Sequence, residues 1–206
     1  LPPLMNQVTC YMSEWHRRLH AKLHPFYRTL IQSQPVVGWP LADHRKLLPM
    51  IPRETHVLFT MKRRVPEPWR KTLTGRRWYF DCVREAVKAS KPEPLIIKTR
   101  PKHGDPYWMK WCGRVIEDEC VYPSTSMRLL SEAEQVTHFN SGAGLEARLF
   151  DNITFITNYI APQSHLDSIP GQTAQYEHAL THPLLDVITY NDTQTGSRIM
   201  DVVEAL

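Results

Sequence analysis

His56-Val-Leu-Phe-Thr-Met61, Arg76 to Ser90, and Leu95-Ile-Ile-Lys-Thr99 decide the fold of this chain. The first segment is rich in β-branched and aromatic residues and predicts a strand. The third, boxed in by prolines, predicts a second strand. The segment between them has helical periodicity, with Tyr79, Cys82, Val83, Ala86 and Val87 falling on one side and forming its buried face. Arg77, Arg84, Lys88 and Lys91 follow at spacings of 7, 4 and 3 and line up along one side, interrupted by Asp81.

On the amino-terminal side, Tyr11, Trp15, Leu19 and Leu23 recur every fourth residue and predict a helix from about Thr9 to His24, with Ser13 or Thr9 at its start and Pro25 at its end. On the carboxyl-terminal side, Ser131-Glu-Ala-Glu134 fits a capping box for a short helix towards Phe139. Asn140-Ser-Gly-Ala-Gly144 reads as a flexible loop. Leu149 to Ile160 is open between strand and helix, with Phe155 and Ile156 favouring strand. Gln172 to His182 reads as helix, Leu184 to Tyr190 as strand, and Ser197 as the cap of a terminal helix carrying Ile199, Val202, Val203 and Leu206.

Proline divides the architecture. Thirteen of the 17 prolines lie in residues 1–106, against only 8 glycines in the whole chain, so the connections there are stiff and extended. The stretches 35–52 and 91–106 carry most of this signal. The expected fold class is α+β: a small mixed core with long Pro-rich extended segments in the basic amino-terminal half.

Charge divides the chain as well. Residues 1–114 hold 22 Lys+Arg and 8 Asp+Glu, a net of +14; residues 115–206 hold 3 and 13, a net of −10. This predicts a basic, Pro-rich partner-binding region over 1–114 and an acidic α+β region over 115–206. Within the basic region Lys62, Arg63, Arg64, Arg70, Lys71, Arg76 and Arg77 interleave with Trp69 and Trp78, and Arg84 and Lys88 extend the row. Trp108 and Trp111 stand among Arg100, Lys102, His103, Lys110 and Arg114. Cations neutralise phosphates and aromatic rings stack on unpaired bases, so the residues chosen for contact with RNA or an acidic partner are Lys62, Arg63, Arg64, Trp69, Arg70, Lys71, Arg76, Arg77, Trp78, Arg84, Lys88 and Trp108.

Catalytic chemistry has little support. No P-loop, dinucleotide fingerprint or nucleophile elbow occurs, and the small-residue loop at 140–144 matches none of them. A cleft would need residues such as His138, Asp151, His165 or Asp167, which no spacing joins. His16, His20 and His24 repeat every fourth residue but lack acidic or cysteine companions, so no metal is expected. Cys112 and Cys120 match no thiol motif, and Cys10, Cys82, Cys112 and Cys120 make no disulfide framework. Asn152-Ile-Thr154 and Asn191-Asp-Thr193 match glycosylation sequons, the weaker reading beside unmodified Asn.

No apolar run is long enough to span a bilayer. The chain begins Leu1-Pro2-Pro3, read as the product of presequence removal and hence as mitochondrial, on the matrix side. The expectation is a non-catalytic structural subunit of a large organellar assembly, without cofactor, most simply a mitochondrial ribosomal protein whose basic half contacts rRNA. The alternative is an accessory subunit of a respiratory complex or ATP synthase that makes no RNA contact.

Overall fold

In chain order the elements are α1 (Glu14–Leu23), α2 (Pro40–Lys46), β1 (Thr55–Phe59), α3 (Leu73–Ala89), β2 (Ile96–Lys98), a 3-10 turn (Tyr107–Trp111), β3 (Arg114–Ile116), α4 (Ser124–Glu132), β4 (Ala133–His138), α5 (Ala143–Ala147), β5 (Phe155–Asn158), α6 (Leu184–Ile188) and α7 (Thr195–Glu204). The computed structural model describes residues 10–23, 35–49, 51, 55–60, 72–90, 94–99, 107–116, 124–139, 141–160, 181–190 and 192–205. The chain falls into two compact units, 48–176 and the two ends together, 1–47 with 177–206.

The first unit is built on one five-stranded sheet in the order β3-β2-β1-β4-β5, and every neighbouring pair is parallel. A parallel pair needs a crossover that covers the sheet, so its strands are buried on both faces and read as continuous apolar runs. Val57-Leu58-Phe59 is such a run, buried throughout. Side-chain alternation sorts the two faces. Leu58 and Ile97 pack with Tyr79, Cys82, Val83 and Ala86 of α3, joined by Leu95, Met109 and Phe139. Val57, Val136 and His138 point to the other face, where α5 covers β4 and β5 and α4 contacts β1 and β4. Helices and a parallel sheet make this a mixed α/β arrangement.

The two expected strands are found as Thr55–Phe59 and Ile96–Lys98, with the expected helix between them, Tyr79, Cys82, Val83 and Ala86 buried and Arg77, Arg84 and Lys88 exposed; Met61 lies outside the described residues. β5 resolves the ambiguity at 149–160 in favour of strand. The helix expected from 131 is instead the interior strand β4, and the helix precedes it. The capping-box spacing is a local signal. Ala133, Val136 and His138 are almost completely buried between β1 and β5, and that burial overrides it. The strand expected at 184–190 is likewise the helix α6. Pro40 lies in the first turn of α2, where its missing N–H costs nothing, so part of the 35–52 stretch is helical. Helix 172–182 falls almost wholly outside the described residues.

The second unit places Ser13 at the start of α1, its Oγ accepting from the His16 N–H at 3.0 Å. Tyr11 is buried, pairs with Val36 in a parallel bridge, and donates or accepts through its hydroxyl at His20 Nδ1 (2.8 Å). Gly38 adopts φ +102° beneath Thr195, where a side chain would meet the Thr195 hydroxyl at 2.7 Å. The terminal helix is capped from far along the chain rather than by Ser197: Asp43 Oδ2 accepts from the Thr195 N–H at 2.7 Å.

Candidate functional site

All five strands end at one edge of the sheet, and two of those ends differ from the rest. After β1 the chain passes to α3 and then to β2 on one side; after β4 it passes to α5 and β5 on the other. Neighbouring strands whose connections leave in opposite directions open a crevice beyond their carboxyl ends, where ligands of doubly wound sheets bind. β1 and β4 are this pair.

Thr60 closes β1. It is 1 % exposed, and its N–H is held by the Lys98 carbonyl at 3.1 Å, but its Oγ1 has no hydrogen-bond partner. Continuing the β1–β4 register sets Thr60 beside Phe139, on the face that α3 covers. Phe139 is ringed by Tyr79 (4.9 Å, edge-on), Trp78 (5.8 Å, edge-on) and Tyr159 (5.7 Å, stacked).

The same contacts orient α3. Ala86 lies level with His56 and Tyr79 level with Phe139, so α3 runs antiparallel to the strands. Its first residue, Leu73, then stands about 9 Å beyond the strand ends, at ~1.5 Å per residue. Thr72 caps it, Oγ1 accepting from the Gly75 N–H at 3.0 Å. The first turn contains no acidic residue, and Arg76 follows at once. Cations near a helix start oppose the macrodipole, which favours negative charge there. An anion over this end satisfies both.

The β4–α5 turn forms the other wall. His138 is fully buried, and its Nδ1 accepts from the Ser141 N–H at 3.2 Å, which leaves the ring proton on Nε2. Nε2 has no partner. Burial pushes the imidazole down to about 4, so it is neutral near pH 7. Ser141, Ala143, Gly144 and Glu146 are buried too, and Ser141 Oγ accepts from the Ala143 N–H at 3.4 Å. This segment was expected to be flexible. Its described residues, 141–144, are a packed turn entering a helix, because the imidazole fills the space beneath them. Across the crevice Lys98 is buried, its Nζ donating to the Thr99 carbonyl at 2.9 Å.

Of the residues chosen from sequence, Arg76, Arg77, Arg84 and Lys88 lie exposed on α3, and Arg84 and Lys88 pair with Asp81 and Glu85 at 3.1 Å. Trp78 and Trp108 are half-buried, packed against Phe139 and against Tyr79 and Phe80 respectively. Lys62, Arg63, Arg64, Trp69, Arg70 and Lys71 lie outside the described residues. The sequence offers His138 no neighbours and carries no signal at Thr60. Parallel pairing joins them at one edge, and no local spacing signals it. Asp151 is exposed beyond β4's opposite end, on the turn before β5, and His165 and Asp167 lie outside the described residues.

Among the described residues, no three His, Cys, Asp or Glu side chains stand together to hold a metal ion. No described helix is long and apolar enough to cross a membrane. The chain matches no family model, no curated protein and no solved structure.

Proposed function

We propose that residues 48–176 form a nucleotide-binding domain that holds a phosphorylated small molecule in the crevice between β1 and β4. The observation that carries this reading is the all-parallel strand order β3-β2-β1-β4-β5, whose switch point falls between those two strands. Three further features support it. The start of α3 projects past the sheet edge without an acid, as phosphate binding at a helix start requires. Thr60 Oγ1 is a buried hydroxyl awaiting a partner beside it. The sequence joining β1 to α3 includes Lys62, Arg63, Arg64, Arg70 and Lys71.

The test is thermal shift and titration calorimetry on the full chain with nucleoside diphosphates and the matching nucleosides. Diphosphates should raise the melting temperature and nucleosides should not. Arg76→Glu, and separately Thr60→Val, should weaken the diphosphate effect. A melting temperature indifferent to every diphosphate at millimolar concentration overturns the reading.

A second reading draws on the division of charge, +14 against −10, and on the exposed cations of α3. It is a non-catalytic subunit of a mitochondrial assembly on the matrix side. The ribosome comes first, with the basic half and its Pro-rich extended segments on rRNA; a respiratory complex or ATP synthase is the alternative. Native purification from source separates these: rRNA and many basic proteins support the first, membrane-complex subunits without RNA the second, and a lone chain neither.

A further inference from the structure

The outer side of α3 carries a pattern that neither the core nor the crevice uses. Leu73, Arg77, Phe80, Arg84 and Lys88 succeed one another at spacings of 4, 3, 4 and 4, so they form one stripe along the helix. All five are exposed, Leu73 at 85 % and Phe80 at 45 %. An apolar ring thus lies between two guanidinium groups, one turn away on either side. The 3-10 turn extends the stripe sideways. Trp108 stands edge-on to Phe80 at 5.2 Å, and Trp111, three residues on and therefore on the same side of a 3-10 turn, is 82 % exposed. Burying large aromatic surface is what a folded chain ordinarily gains most from, so rings left in water beside cations mark a contact surface.

We infer that this stripe binds single-stranded nucleic acid, with Phe80 and Trp111 stacking on bases and Arg77, Arg84 and Lys88 meeting phosphates. The occupant follows from charge and shape together. A purely acidic protein segment would match the cations but leave the rings in water, whereas a single strand supplies negative charge and planar faces in alternation. The ion pairs Arg84–Asp81 and Lys88–Glu85 are solvent-exposed and contribute little, so a phosphate replaces them at small cost. The contacts assigned here are separate from those of the crevice: Arg77, Phe80, Arg84 and Lys88 follow along the outer side of α3, and the crevice uses its start over 72–76.

The experiment is fluorescence anisotropy of the full chain with a labelled oligouridylate, titrated across salt. Binding should weaken linearly in log–log with salt. Phe80→Ala with Trp111→Ala, both at exposed positions, should lower affinity about 10-fold or more. Arg77→Gln with Arg84→Gln should reduce the salt slope by about 1.4. Saturating nucleoside diphosphate should leave the complex intact, which keeps this result separate from the fate of the crevice. The inference is overturned by absence of binding at about 50 mM salt, by binding that these variants leave unchanged, by displacement with nucleoside diphosphate, or by polyglutamate of equal charge competing as well as RNA.

Discussion

Gly144 lies directly against the imidazole of His138: a methyl group built on it would come within 2.2 Å of Nε2 and 2.5 Å of Cε1. The ring is fully buried at the end of the interior strand β4, so this contact sets how closely α5 approaches the sheet. Gly144→Ala should therefore cost about 1–3 kcal/mol of stability, as overpacking does. In a His138→Ala background the same substitution should cost much less. Urea unfolding of the four members of that double-mutant cycle reads the coupling.

Two buried histidines make stability depend on pH. His56 donates or accepts through Nε2 at Thr137 Oγ1 (2.7 Å), and burial pushes both His56 and His138 down to about 4 from an ordinary 6.5. The unfolded chain therefore binds more protons than the folded one between those values. Stability is fully present above about pH 6.5 and is lost as pH falls towards 4, by up to about 3 kcal/mol for each histidine. The urea midpoint should hold steady from pH 8 to 7 and fall steeply from 6 to 4.5. His56→Leu should flatten part of that fall.

Asp43 secures α7 across 152 residues of sequence, because Gln194 provides no side-chain cap. Asp43→Ala should release the Thr195 amide and destabilise the start of α7 by about 1–2 kcal/mol, while Asp43→Asn, which keeps an acceptor oxygen, should lose less. Hydrogen exchange of the amides at 195–198 should rise in the alanine variant first.

The thiols should separate by reactivity. Burial, with the Asp81 and Glu85 charges adding, pushes Cys82 up to about 12, whereas Cys10 is exposed. A thiol-reactive label at pH 8 should modify Cys10 at once and Cys82 only on unfolding. Peptide mass mapping with and without denaturant distinguishes the two.

Asn152 bears on the sequon at 152–154. Its Nδ2 donates to the carbonyls of Ala133 at 2.6 Å and Leu130 at 3.1 Å, tying the turn before β5 to the end of α4. A glycan on that nitrogen would displace these bonds. Intact mass of chain secreted from a glycosylating host should show Asn152 bare, and Asn152→Ala should destabilise the fold by about 1–3 kcal/mol through unsatisfied carbonyls.

What the sequence determined by itself was local. The strand Thr55–Phe59, the helix Leu73–Ala89 with its buried and charged sides, and the strand Ile96–Lys98 all follow from side-chain periodicity and backbone preference over a few residues. The tertiary structure decided the rest. That β1 pairs with β4, some 80 positions away, makes Ala133-Glu-Gln-Val-Thr-His138 a strand despite its helix-start spacing. The same pairing carries the sheet across the charge boundary at 114 and brings Thr60 and His138 to one edge. The hydrogen-bond ladder and the burial that fix these choices exist only when distant segments meet, so no short window of sequence contains them.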